Sequence, residues 1–95
     1  MLVCKVIGNA TSTVKDSRLE GCRLLVVGRV KLNSGQLLDE FVAVDNVGAG
    51  EGEVVGVIQG APAQSALEVK GVPIDAVVVS IFDSLNVEGK EIYRK

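Results

Sequence analysis

The sequence predicts an all-β protein, a small five-stranded β-barrel with one short helix and a C-terminal hairpin or extension. Three observations lead to this prediction. The apolar runs are short and rich in valine, clusters of glycine, asparagine and serine separate them, and one proline-led segment is the candidate helix. Closing such strands into a barrel removes the exposed strand edges that an open sheet leaves.

The first four strands follow one another with short connections. Residues 2–7 form the first, Gly8 and Asn9 supply a bend or bulge, and residues 11–14 extend the strand before a polar loop at 15–18. The second strand is predicted over Arg23–Val30, which contains the apolar run Leu24-Leu25-Val26-Val27. After a turn cluster at 33–36, the third and fourth strands are predicted over residues 38–44 and 54–58.

The last third of the chain begins with a break at Gly60. Pro62 suits the first turn of a helix, which residues 63–68 continue until Gly71 and Pro73 end it. Residues 75–85 are almost wholly apolar and predict one long strand buried on both faces. Glu88 and Gly89 have the composition of a hairpin turn.

The loop between the third and fourth strands is the most distinctive segment. Alternate glycines, Gly48, Gly50 and Gly52, stand among acidic residues, and the full loop reads Asp45, Asn46, Val47, Gly48, Ala49, Gly50, Glu51, Gly52, Glu53. A phosphate-binding glycine loop needs a following helix whose free N–H groups face the anion. A strand follows here and the flanking carboxylates repel anions, so a tight structural or subunit-contact loop is the better interpretation.

Ninety-five residues predict a single domain covering residues 1–95. Apolar residues make up 47% of this short chain, and mean hydropathy is +0.36. A small barrel needs less apolar surface than this to fill its core, so we expect a second buried surface between subunits. A plain valine-rich core remains the alternative.

Composition excludes several classes of function. The chain has no histidine, which removes histidine-based catalysis and histidine metal sites, and two cysteines are too few for a thiolate zinc site. Cys4 and Cys22 are expected to be buried free thiols in a reducing cytoplasm, with a disulfide as the alternative. The net charge is −2 and only 3% of the residues are aromatic. Both values argue against nucleic-acid binding, which needs cationic side chains for phosphate and aromatic side chains for stacking on bases. No signal peptide or membrane span is recognisable, and no cofactor is predicted.

Asp45 and Asp75 are the carboxylates that could support acid–base chemistry, because each stands beside apolar residues. The alternative is that each one caps a turn by accepting backbone N–H bonds. No nucleophile with a matching base accompanies either aspartate, so we predict structural carboxylates and no enzyme.

The glycine loop also carries a family resemblance. Together with Pro73-Ile74-Asp75 and the end of the chain, Ile92-Tyr93-Arg94-Lys95, it resembles the vertex proteins of bacterial microcompartments, the EutN/CcmL family. The resemblance covers nearly the whole chain. One departure follows Gly60, where this chain reads Ala61-Pro62-Ala63-Gln64 and lacks an arginine that the family often carries.

The resemblance implies an OB-like barrel and a structural protein that forms homopentamers at the corners of a cytoplasmic microcompartment shell. Its partners are then itself and hexameric shell proteins, with no nucleic acid and no membrane. Small residues at Gly60, Ala61 and Pro62 would allow subunits to converge around a central pore, although this segment also fits a helix entry. An OB-type barrel that binds nucleic acid or a small ligand is the alternative function.

Overall fold

A computed structural model describes residues 1–12, 21–60, 62–63 and 75–95 of the chain. Seven β-strands account for most of these residues. They are β1 (Leu2–Ala10), β2 (Arg23–Val30), β3 (Leu37–Asp45), β4 (Val54–Gln59), β5 (Ala76–Ile81), β6 (Ser84–Val87) and β7 (Lys90–Arg94).

Five of the strands close into a barrel in the order β1-β2-β3-β5-β4, with β4 returning to pair with β1. All neighbours are antiparallel except β3 and β5, whose parallel pairing is confined to Val44 with Val77 and Asp45 with Val78. The register of β1 against β2 shifts between Val6 and Gly8, so the predicted bulge is present and the strand continues beyond it to Ala10. The five-stranded barrel is confirmed.

Small aliphatic side chains fill the barrel interior. Period-two alternation turns every second residue of each strand inward, and valine suits this pleated, crowded surface. The largest fully buried side chains of this core belong to Cys4, Val6, Leu25, Val27, Val55, Val57 and Val78.

A second apolar cluster lies apart from the barrel core. Val44, Val77 and Ala63 are its buried members, and half-buried side chains such as Leu24 and Ile58 pack against it. Pro62 and Ala63 are helical, and the Ala63 N–H donates to the Gly60 carbonyl at 3.0 Å. This is the start of the predicted helix; its remainder, residues 64–68, lies outside the described residues, as do the stop signals Gly71 and Pro73.

The prediction of one long strand over residues 75–85 is wrong. β5 ends at Ile81, and only Ala76, Val77 and Val78 in it are fully buried. Phe82 still donates its N–H to the Val54 carbonyl at 2.9 Å, after which the chain leaves the barrel. The apolar run at residues 75–85 is therefore divided between two sheets. Its first part, β5, pairs with β4 in the barrel, and its end belongs to β6, which pairs with β7.

β6 and β7 form a separate two-stranded sheet. Glu88 and Gly89 connect them with φ angles of 53° and 77°. Positive φ at both central residues is the geometry of a type I′ turn, which matches the right-handed twist of the strands on either side. The predicted C-terminal hairpin is confirmed.

Candidate functional site: the glycine loop

The carboxylate of Asp45 organises the first half of the glycine loop. Its Oδ1 atom accepts hydrogen bonds from the backbone N–H groups of Val47 at 3.1 Å, Gly48 at 3.0 Å and Ala49 at 3.3 Å. The side chain is only 2% exposed. Three donors on one carboxylate oxygen replace the water that burial removes, so Asp45 acts as a cap.

Arg23 connects the same half of the loop to β2. Its Nη1 atom lies 3.2 Å from Oδ2 of Asp45 and donates to the Ala49 carbonyl at 2.8 Å. Since Arg23 pairs with Asp45 across the β2–β3 ladder, the sheet register brings the guanidinium to the loop. One cation thus joins the first and the fifth residue of the loop.

The three alternate glycines have different roles. Gly48 and Gly52 have φ angles of 77° and 87°, values that side-chain-bearing residues rarely adopt. Gly50 is not in this conformation, and a β-carbon built on it would meet only Oε1 of Glu53, at 3.4 Å. Turn geometry therefore requires glycine at Gly48 and Gly52, whereas nothing in the described part of the chain requires it at Gly50.

Glu53 fixes the second half of the loop. Its Oε1 atom accepts the N–H of Gly50 at 2.6 Å, and its Oε2 atom lies 2.9 Å from Nζ of Lys95. The lysine, followed by the Gly50 N–H, lowers the pKa of the Glu53 carboxyl group, and the carboxylate in turn raises the pKa of Lys95. The end of the described chain is therefore held against the glycine loop.

Backbone bonds and one apolar side chain complete the attachment of the loop to the barrel. Gly52 donates to the Val6 carbonyl at 2.8 Å, and Val6 donates back to the carbonyl of Glu53 at 2.9 Å, extending the β1–β4 pairing. Asn46 donates to the Val78 carbonyl at 3.2 Å, and the side chain of Ala49 is fully buried in the core. The outer surface of the loop is left to Asn46, Val47 and Glu51, all exposed.

The remaining predicted site residues lie together at another place. Gly60, with φ of 75°, donates its N–H to the carbonyl of Asp75 at 2.7 Å, and Pro62 is exposed. Asp75 is also exposed, so it lacks the burial that would desolvate its carboxylate. Ala61, the third predicted pore residue, lies outside the described residues.

Asp45 and Asp75 both take part in holding the backbone. Oδ1 of Asp45 accepts N–H groups of the loop and Oδ2 binds Arg23 of β2, whereas Asp75 accepts the Gly60 N–H through its backbone carbonyl. Within the described ranges no cluster of histidine, cysteine, aspartate or glutamate could hold a metal ion. The same part of the chain contains no helix long and apolar enough to cross a membrane.

Both cysteines are free. Cys4 is buried in the barrel core, and this burial, helped by the charge of Asp39, raises the pKa of its thiol to about 11. Cys22 is only half-buried, so the expectation of two buried thiols is correct for one of them.

Sequence reasoning missed Arg23 and Lys95. Both meet the loop from distant parts of the chain, and their charges alone do not distinguish them from solvated surface residues. The one available signal is the position of Arg23 at the start of a strong strand, opposite the end of the next strand.

The geometry defines a class: an OB-like barrel whose characteristic loop uses its carboxylates to fix its own backbone. The family model described as "Ethanolamine utilisation protein EutN/carboxysome" matches residues 1–83. The carboxysome shell vertex protein CcmL of Synechococcus elongatus is 40% identical over 96 residues, covering 100% of this chain and 96% of that protein.

Solved structures agree in fold. Gloeobacter violaceus CcmL superposes with a TM-score of 0.91 at 32% identity, covering 100% of this chain and 98% of the other. GrpN from Rhodospirillum rubrum, described as a pentameric microcompartment shell protein, gives 0.81 at 40% identity, covering 92% and 99%. The chain belongs to the EutN/CcmL family.

Proposed function

We propose that this chain is a shell vertex protein whose homopentamer occupies the corners of a bacterial microcompartment shell. The observation that carries the proposal is the construction of the glycine loop. The carboxylates of Asp45 and Glu53 accept N–H groups of the loop backbone, which leaves the outer surface of the loop available for contact with a neighbouring subunit. Relatives along the full length of the chain are named shell vertex proteins.

Geometry explains why a shell needs such a protein. Tiles of six-fold symmetry make flat sheets, and a closed polyhedron requires five-fold units at its corners. A head-to-tail interface closes into a ring when its rotation divides the circle, so each subunit presents two different surfaces to its neighbours. The outer edge of the ring then meets hexameric shell proteins within the cytoplasm.

The role is structural rather than catalytic. An acid–base site needs a carboxylate able to exchange a proton with a substrate, and both oxygens of Asp45 already bind the chain itself.

The central pore is proposed to be lined by Gly60, Ala61 and Pro62, and the loop residues Asn46 and Gly50 are proposed to lie at the subunit contact.

Coexpression with a hexameric shell protein tests the function. Closed polyhedral particles that contain this chain at their corners, seen by electron microscopy, are the expected result, with open sheets or tubes forming in its absence. Particles that close equally well without the chain would contradict the proposal. Salt-dependent binding of oligonucleotides would instead favour the nucleic-acid-binding alternative.

A further inference from the structure

The hairpin formed by β6 and β7 has few attachments to the barrel. Its two strands pair only with each other, and among the described residues no member of either buried apolar cluster comes from them. A cleft of about 450 Å³ lies between the hairpin and the barrel. Because a two-stranded hairpin is marginally stable alone in water, its position depends on the contacts that join it to the rest of the subunit.

The hairpin leaves the barrel and returns to it at one place. Phe82, directly after β5, donates its N–H to the Val54 carbonyl at 2.9 Å. The next residue, Asp83, accepts the N–H of Lys95 at 2.8 Å. This bond brings the residue that follows β7 back to the point where the chain leaves the barrel.

One ion pair joins this returning end to the barrel. Nζ of Lys95 lies 2.9 Å from Oε2 of Glu53. Among the hydrogen bonds and ion pairs of the described residues, no other polar contact runs from residues 84–95 to the barrel strands or the glycine loop. The pKa of Lys95 is raised chiefly by Glu53 and further by the charge of Asp83, so the ammonium group faces carboxylates from both sides of the junction.

Glu53 offers the lysine a fixed point on the barrel. Its carbonyl accepts the N–H of Val6 at 2.9 Å, and its N–H donates to the Gly50 carbonyl at 3.2 Å. The two carboxylate oxygens divide their contacts: Oε1 accepts the Gly50 N–H at 2.6 Å, and Oε2 binds Lys95. Loss of the lysine therefore leaves the Glu53 backbone in place but frees its side chain to rotate away from Gly50.

The ion pair is accessible to salt. The side chain of Lys95 is 51% exposed and that of Glu53 is 22% exposed. Screening of such a pair strengthens as the Debye length falls from about 10 Å at about 0.1 M salt to about 3 Å at about 1 M. Asp45, which holds the first half of the glycine loop, is only 2% exposed and is screened much less.

We propose that Lys95 is a positioning residue whose ion pair with Glu53 sets the place of the hairpin against the barrel, and that rising ionic strength opens this contact. Opening releases the hairpin and the Gly50 N–H together, whereas Asp45 continues to hold the first half of the loop. The contact lies within one subunit. If Gly50 meets a neighbouring subunit, as proposed above, the position of the hairpin is transmitted to that surface.

Substitutions at two adjacent cations test the proposal. Lys95→Met removes the charge while keeping an unbranched side chain, and Lys95→Arg keeps the charge. Arg94→Met is the matched control, because it removes a cation whose ion pair with Glu91, at 2.7 Å, stays within the hairpin. Backbone NMR relaxation reports the order of the hairpin relative to the barrel, and amide hydrogen exchange reports the release of the Gly50 N–H.

The expected results separate the charge of Lys95 from general loosening. Lys95→Met should lower the order parameters along β6 and β7 and speed exchange at Gly50 by about two- to fivefold, the effect of an exposed ion pair. Arg94→Met and Lys95→Arg should match the wild type. Raising the salt from about 0.1 M to about 1 M should bring the wild type to the level of Lys95→Met and leave that variant unchanged.

Three results would overturn the proposal: wild-type values for Lys95→Met in either measurement, an equal change in Arg94→Met, or a salt response that persists in Lys95→Met. A monomeric wild-type chain would overturn the proposed function instead. It would leave this test in force, because every contact involved belongs to a single subunit.

Discussion

Replacing Asp45 with alanine should destabilise the subunit more than any other single change in the glycine loop. The substitution leaves the N–H groups of Val47, Gly48 and Ala49 without their acceptor and removes the partner of Arg23. The aspartate side chain is 2% exposed, so water does not reach these donors freely in its place.

The magnitude follows from these contacts. A hydrogen bond to a charged group contributes about 1.5–3 kcal/mol, and the three bonds share one oxygen and do not add fully. Arg23 is 53% exposed, so its ion pair contributes no more than about 1 kcal/mol. We expect Asp45→Ala to lower the free energy of unfolding by about 3–5 kcal/mol, a value typical of breaking a buried charged network. Asp45→Asn keeps one acceptor oxygen and should cost about 1–2 kcal/mol.

Urea unfolding followed by circular dichroism measures both variants against the wild type. All three must be compared at one protein concentration, because assembly stabilises the folded subunit by mass action. Two results would refute the reasoning: a loss below about 0.5 kcal/mol for Asp45→Ala, which is the range of ordinary surface substitutions, or an asparagine variant as unstable as the alanine variant.

Three further predictions concern the loop and the thiols. Gly50→Val should leave the subunit folded, because among the described residues a β-carbon there meets only Glu53, but should prevent assembly; rings of wild-type mass would contradict this. The pKa of Glu53 is lower in the folded protein than in the unfolded chain, so the ionised carboxylate stabilises the fold. This stabilisation is complete above the ordinary glutamate pKa and is lost as the pH falls through the lowered pKa of the folded state. Glu53→Gln should therefore flatten the acid limb of a stability–pH curve, and an unchanged limb would count against the Lys95 contact. Cys22 should react with a thiol reagent in the folded protein while Cys4, with its raised pKa and full burial, reacts only after unfolding; fast labelling of both would disprove the buried position.

Local pattern was sufficient for most of the barrel. The second strand, Arg23–Val30, has the predicted bounds, and the fourth extends one residue further than predicted, to Gln59. Alternation of apolar residues and the turn residues between runs are properties of neighbouring positions, so they can be read from sequence. The bulge at Gly8 and the turn at Glu88–Gly89 were predictable for the same reason: each depends on residues at one place.

The division of residues 75–85 between two sheets depended on distant parts of the chain. Phe82 is the last residue of this run that binds β4, and Lys95 donates its N–H to the Asp83 carbonyl at 2.8 Å. Neither contact can be predicted from the apolar run alone. The polar pair Asp83 and Ser84 was the available signal, since such residues favour turns.

The glycine loop likewise combines contacts that neighbouring residues predict with contacts that come from distant parts of the chain. The capping role of Asp45 depends on the residues that follow it directly and was a stated alternative. Arg23 and Lys95, which complete the loop, meet it through strand register and through the hairpin, and such contacts follow only from the assembled barrel.

The native mass of the purified protein tests the central claim most directly. We expect a single species of five times the 9.9 kDa chain mass, by native mass spectrometry and by light scattering at micromolar concentration. A monodisperse monomer under the same conditions would contradict the vertex assignment and the ring closure on which it depends.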